Sequence, residues 1–170
     1  MPPDADTHSL KLQQLIASLR AWTGFVADVA RVEVSEVGSA WRVSLKPKAA
    51  SACPLEILLD SGKVRCDLKV ADETYHDWPL PSLDIVLPLI EAVTEGRVVT
   101  RHTTSAATGL PLSVATLIKL ADGRVLETSL ANDAAGEVAT GSIERRDTHY
   151  LPYRRPGPHG ATSVTTAARR

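Results

Sequence analysis

Aromatic residues are scarce in this chain: three Trp, three Tyr and one Phe make up 4% of its 170 residues. Its core must therefore be built mainly from Leu, Val, Ile and Ala. Cysteine is scarcer still, with two residues, which is too few for a disulfide scaffold or a four-cysteine zinc site. No apolar run approaches the ~18 residues that a membrane-spanning helix needs. The opening MPPDADTH is acidic, whereas the start of a secretory signal is basic. Also missing are a Walker loop, GxGxxG, HExxH and GxSxG, the signatures of nucleotide binding, zinc proteolysis and serine esterase chemistry. No cofactor and no metal are expected, and the reading leans away from an enzyme.

What is present is ordinary for a globular protein: 44% apolar and 23% charged residues. A net charge of -1 gives no overall electrostatic hold on nucleic acid or anionic membrane. The charge is uneven, however. Residues 1–135 carry 13 basic and 17 acidic groups, and residues 136–170 carry 6 basic and 3 acidic ones. The length suits one domain with appendages.

The strongest pattern lies in CPLEILLDSGKVRCDLKV, Cys53 to Val70. Two alternating runs flank Asp60-Ser61-Gly62-Lys63, which reads as a two-residue hairpin turn. Pairing Asp60 with Lys63 sets Leu59 against Val64, Ile57 against Cys66, Leu55 against Leu68 and Cys53 against Val70. All of these share one apolar face. The other face sets Glu56 opposite Asp67 and Leu58 opposite Arg65. Cys53 and Cys66 then sit about 13 Å apart along the ladder, too far for a disulfide. Two inward-facing, unpaired thiols suit a reducing compartment, so the expected location is the cytoplasm.

Residues 1–6 are expected to be disordered, with Asp6 or Thr7 capping a helix that begins at His8. Leu12, Leu15, Ile16, Leu19 and Trp22 form its apolar stripe, and Gly24 ends it. A hairpin follows, Ala30 to Val37 and Ala40 to Lys46 around Gly38-Ser39. Its register sets Val34 against Val43, Val32 against Leu45 and Glu36 against Trp41. Asp72 to Trp78 reads as an edge strand ended by Pro79 and Pro81. A second helix spans Leu83 to Glu95, capped by Ser82, kinked at Pro88 and stopped by Gly96. Its alternative is an irregular 83–87 followed by a short helix opening at Pro88. Strands Arg97 to Thr104 and Pro111 to Leu120 come next. The loop Ala121-Asp122-Gly123 then sets Ile118 against Leu126 and Val114 against Leu130. Residues 136–170 lose all periodicity and read as a disordered basic tail.

The expected fold is α+β: one twisted antiparallel sheet of about seven or eight strands with both helices on one face. The single domain covers residues 7–135. This order of elements is loosely similar to secretion-chaperone-like and cystatin-like folds.

Two short segments concentrate reactive side chains. Asp72-Glu73-Thr74-Tyr75-His76-Asp77-Trp78 joins a His to carboxylates and two aromatics. That suits a general base or a flat ligand, although charges also serve simply to protect a sheet edge. In regular alternation Thr74, His76 and Trp78 face one way, with Glu73, Tyr75 and Asp77 facing the other. Arg101-His102 leads into a hydroxyl-rich loop of the kind that lines anion sites. The candidate ligand residues are thus Tyr75, His76, Trp78, Arg101 and His102. No metal-ligand spacing links His76, His102 and Asp72. Cys53 and Cys66 read as small core residues. In the tail, Arg145, Arg146, Tyr150, Tyr153, Arg154 and Arg155 interleave rings with guanidinium groups, a composition that binds acidic protein surfaces or RNA.

Three functions are in play. The first is a non-enzymatic protein-interaction module, chaperone- or adaptor-like, with a protein partner or self-association as a homodimer. The second is a small-molecule binder or enzyme with a pocket between the helices and a curved sheet. The weakest is nucleic-acid binding through the tail. No membrane contact is expected.

Overall fold

The computed structural model describes residues 3–132 and 141–153. Helix α1 runs Pro3–Val26. Five strands follow: β1 Ala30–Val37, β2 Ala40–Pro47, β3 Leu55–Asp60, β4 Arg65–Val70 and β5 Glu73–Pro79. A 3₁₀ turn, Leu83–Ile85, leads into helix α2, Val86–Thr94. Strands β6 Val98–Ser105, β7 Pro111–Lys119, β8 Val125–Ala131 and β9 Ile143–His149 complete the described residues.

The strands form two antiparallel sheets rather than one. The first is a five-stranded meander, β1-β2-β3-β4-β5, and the second has the order β8-β7-β6-β9. β6 does not continue the meander, because β5 presents a bulged, charged outer edge and irregular edges refuse partners. α1 lies against β1 and the 3₁₀ turn, and α2 lies against β7.

In the meander, alternation sorts the side chains cleanly. Leu55, Ile57, Leu59, Cys66, Leu68 and Val70 are buried, while Glu56, Leu58, Asp67 and Lys69 look away. The stripe Leu12, Leu15, Ile16 and Leu19 of α1 joins this face in one contiguous core with Leu89, Ile90, Val93, Val98, Ile118 and Tyr153. Burial on this scale, at ~25 cal/mol per Å² of apolar surface, is the main stabilising term. Arg20 of α1 also lies over the Trp41 ring of β2, 5.2 Å from its centroid.

The hairpins β1–β2 and β7–β8 have the registers expected from their turns: Val34 faces Val43, and Ile118 faces Leu126. The β3–β4 hairpin does not. Leu55 pairs with Val70, Ile57 with Leu68 and Leu59 with Cys66, a two-residue shift that leaves the apolar and polar faces unchanged because strand alternation has period two. The shift widens the loop, where the Asp60 carboxylate accepts the Gly62 N–H at 2.7 Å. It also replaces the like-charged pair Glu56/Asp67 with Glu56 opposite Lys69, and opposite charges across a ladder stabilise it.

The helices also depart from expectation. α1 starts at Pro3, not His8, so Asp6 and Thr7 lie within it, and it runs through Gly24 to Val26. Proline is well suited to a helix start, where its missing N–H costs nothing. Pro88 causes no kink, because it falls in the first turn of α2, after the 3₁₀ turn. Ser82 caps that turn through the Asp84 N–H at 3.2 Å, and Gly96 (φ 72°) ends α2.

The largest correction concerns residues 136–170. Ile143–His149 is not structureless but pairs along β6 from Val99↔His149 to Ser105↔Ile143. Beyond it, Leu151 donates its N–H to the Ser51 carbonyl at 3.0 Å, and Tyr153 donates its own to the Thr94 carbonyl at 2.8 Å. Tyr153 is 3% exposed. Residues 136–140 and 154–170, including Arg154 and Arg155, lie outside the described residues.

Candidate functional site

The residues marked out in the sequence end on several surfaces. Tyr75 and Trp78 both turn toward the core, although regular alternation sets them on opposite faces. A bulge in β5, where the pairing shifts between Cys66 and Leu68, supplies the extra residue, with Asp77 in the left-handed region at φ 52°. The Tyr75 hydroxyl shares a hydrogen bond of 2.7 Å with the buried hydroxyl of Thr116 on β7, so this ring ties the two sheets together. Burial pushes its pKa up.

His76 stays outside, at the bulge. Its Nδ1 is 3.3 Å from the Asp67 carboxylate, which also accepts the Asp77 N–H at 2.9 Å. That backbone donor, reinforced by His76, holds the Asp67 carboxyl below its ordinary pKa. Arg65 pairs with the Asp77 carboxylate. These groups satisfy one another around the bulge.

Arg101 and His102 are neighbours on β6 and so face opposite ways. Arg101 makes two hydrogen bonds of 2.8 Å each to the Asp147 carboxylate on β9. His102 lies opposite Arg146, whereas Arg145 is opposite Thr103. One pair from the two sequence-derived sets, His102 and Arg146, is therefore brought side by side. With Thr104, Glu144, Arg145 and Thr148 they line a hollow of about 530 Å³. A second hollow, of about 280 Å³, continues past His102 to Val114, Leu130 and Glu73 of β5.

This geometry follows from how the second sheet meets the core. Near α2, its inner face is sealed by Val98, Thr100, Thr116 and Ile118. Farther along the same strands the cover thins, leaving Val114 half-buried and Leu130 at the surface. Leu130 is 40% exposed. The surface offers apolar contact beside an imidazole, two guanidinium groups, hydroxyls and two carboxylates. Among the described residues, no hydrogen bond joins the His102 imidazole to a hydroxyl or carboxylate of this surface.

A third cavity, of about 460 Å³, opens between the C-terminal ends of α1 and α2. Trp22, Phe25 and Val26 form one wall, Glu91, Thr94 and Glu95 the other, with Asp28, Val29 and Tyr153 completing it. Composition and motif gave no sign of it. The one signal was Phe25, the chain's sole phenylalanine, just past the glycine expected to end α1.

Cys53 and Cys66 are both buried and unbonded, and burial pushes each thiol up to about 12. Among the described residues, no group of three or more His, Cys, Asp or Glu is placed to hold a metal ion. No described helix is long and apolar enough to cross a membrane. No family model matches the chain, and no curated protein and no solved structure matches it.

Proposed function

We propose that this protein is a non-enzymatic interaction module, chaperone- or adaptor-like, that binds a protein partner through the open end of its four-stranded sheet. The observation that carries the reading is the partly exposed apolar surface formed by Leu130 and half-buried Val114, rimmed by His102, Arg146 and Glu73. An apolar centre with a polar rim is the usual anatomy of a protein interface. Self-association through the same surface is one form of this function. The proposed location is the cytoplasm, a reducing compartment in keeping with two unbonded thiols.

The test compares the full-length chain with its Leu130→Lys and Phe25→Ala variants in affinity capture, with light scattering to follow self-association. A specific protein, or a second copy, retained by the wild type and by Phe25→Ala but lost from Leu130→Lys supports the reading. Binding indifferent to Leu130→Lys removes it.

A second reading, a small-molecule-binding protein, is favoured by the cavity between the helix ends. Its volume of about 460 Å³ falls within the roughly 300–1,000 Å³ common for ligand pockets.

A further inference from the structure

The cavity between α1 and α2 combines three features that favour one kind of guest. First, its wall is aromatic. Phe25 is 82% exposed, and Trp22 stands one turn before it on the same helix. Burying such surface needs an apolar or flat partner. Second, both helices point their C-terminal ends here, α1 finishing at Val26 and α2 at Thr94. Each helix end carries a partial negative charge from its aligned peptides.

Third, the carboxylates outnumber the cations that answer them. Asp28, Glu91 and Glu95 line the cavity. Arg97 pairs with Glu95 at 2.8 Å. Lys48 sets its ammonium on the carbonyls of Ala27 and Asp28, at 3.3 and 2.7 Å, so three carboxylates face two cations around the cavity. Among the described residues, no hydrogen bond or ion pair engages the side-chain carboxylates of Asp28 and Glu91. The floor is fixed: the Tyr153 ring is held by its N–H on the Thr94 carbonyl and its hydroxyl on the Cys53 carbonyl.

Building on the small-molecule reading, we propose that this groove binds a free organic cation, a guanidinium or ammonium group carried on an aromatic or aliphatic body. The charged head sits toward Asp28 and Glu91 at the two helix ends. The body lies against Phe25 and Trp22, whose ring faces also attract the cation. An anion is excluded by the same charges.

The full-length, isotope-labelled chain would be titrated by NMR with three probes of one shape: benzylguanidinium, its neutral isostere benzylurea, and phenylacetate. The proposal expects benzylguanidinium to shift the amides of Trp22 to Val29, Glu91 to Glu95 and Tyr153. It also expects benzylurea to bind about tenfold more weakly, the scale of one buried cation–aromatic contact with charge support, and phenylacetate to bind nowhere in the groove. Glu91→Gln, on an exposed helix face, weakens benzylguanidinium several-fold and benzylurea distinctly less. Phe25→Ala weakens both. If benzylurea binds as tightly as benzylguanidinium, the cation assignment is overturned while the groove remains a ligand site. If none of the three shifts these amides, both fall. Tighter binding of the tripeptide acetyl-Ala-Arg-Ala-amide than of benzylguanidinium would make the groove a peptide site and overturn the assignment to a free small molecule.

Discussion

The hydroxyl of Tyr153 donates to the backbone carbonyl of Cys53, joining two points 100 residues apart in the chain. The bond is buried and lies where the segment after β9 passes the start of the meander. Tyr153→Phe removes that donor and is expected to cost about 1–3 kcal/mol. Tyr153→Ala also empties the space of the ring, for a loss of about 3–5 kcal/mol. Urea unfolding followed by circular dichroism measures both. Equal midpoints for the wild type and Tyr153→Ala would show that this segment does not belong to the folding unit.

Gly96 is where α2 ends and where the same segment crosses. A Cβ there would stand 2.7 Å from the Pro152 nitrogen and 2.8 Å from the Tyr150 carbonyl oxygen, at φ +72°. Gly38 shares the positive φ, at +61°, but has open space around it. Gly38→Ala is therefore expected to cost only the left-handed penalty of roughly 1–2 kcal/mol. Gly96→Ala should cost distinctly more, and it should speed hydrogen exchange at the Leu151 and Tyr153 amides. Equal costs at the two glycines would mean that the crossing segment yields freely.

Tyr75 and Thr116 bridge the two sheets through one buried hydrogen bond of 2.7 Å. Tyr75→Phe leaves the Thr116 hydroxyl without that partner, an expected loss of about 1–3 kcal/mol. Adding Thr116→Val removes the stranded hydroxyl, so the double variant should be more stable than the sum of the single losses predicts. Strict additivity in a double-mutant cycle would show that the two hydroxyls are not coupled.

Asp67 holds its carboxyl below the ordinary value of 3.8 because the Asp77 N–H, and then His76, favour the ionised form. With the folded pKa below the unfolded one, the stabilisation is complete above pH ~4 and is lost as pH falls through the folded value. Asp67→Asn should be less stable than the wild type at neutral pH. The gap should close between pH 4 and the folded pKa, as read from urea midpoints over that range. A gap independent of pH would assign the effect to packing at the bulge.

Burial raises both thiols to about 12, so neither is an available thiolate at pH 8. A thiol reagent such as dithionitrobenzoate should titrate no groups in the folded protein and two after denaturation. Fast labelling of one thiol in the native state would expose an opening of the meander that reaches Cys53 or Cys66.

The hairpins β1–β2 and β7–β8 were legible because apolar alternation and turn chemistry agree on one register. In β3–β4, alternation alone admits any even shift. The deciding terms, the Asp60–Gly62 loop contact and Glu56 opposite Lys69, are weaker than the pattern that hides them. β9 was invisible for a different reason. Every residue of Ile143–His149 is exposed, so the strand has no buried face to write an alternation. Its place is set by backbone pairing to β6 and by contacts such as Arg101 to Asp147, which exist only once the strands are adjacent.

The candidate sites were less legible than the fold. Tyr75 and Trp78 share a face because one bulge residue, Asp77, changes the parity of the strand. His102 and Arg146 are neighbours because chain segments over 40 residues apart are paired. Sequence patterning reports local periodicity, and both relationships are non-local or break that periodicity.

The pairing of β6 with β9 has a consequence for biosynthesis. Synthesis runs from the N-terminus, so every strand of the meander emerges next to its partner, and β7 follows β6 closely. The other edge of β6, Val99 to Ser105, stays open until Ile143–His149 leave the ribosome. During that interval its backbone donors and acceptors face water, as a template for any extended strand. The Ile143–His149 of a second nascent chain meets the same template in the same register. The late arrival of β9 thus makes this edge of β6 the place where strand exchange between two copies would begin.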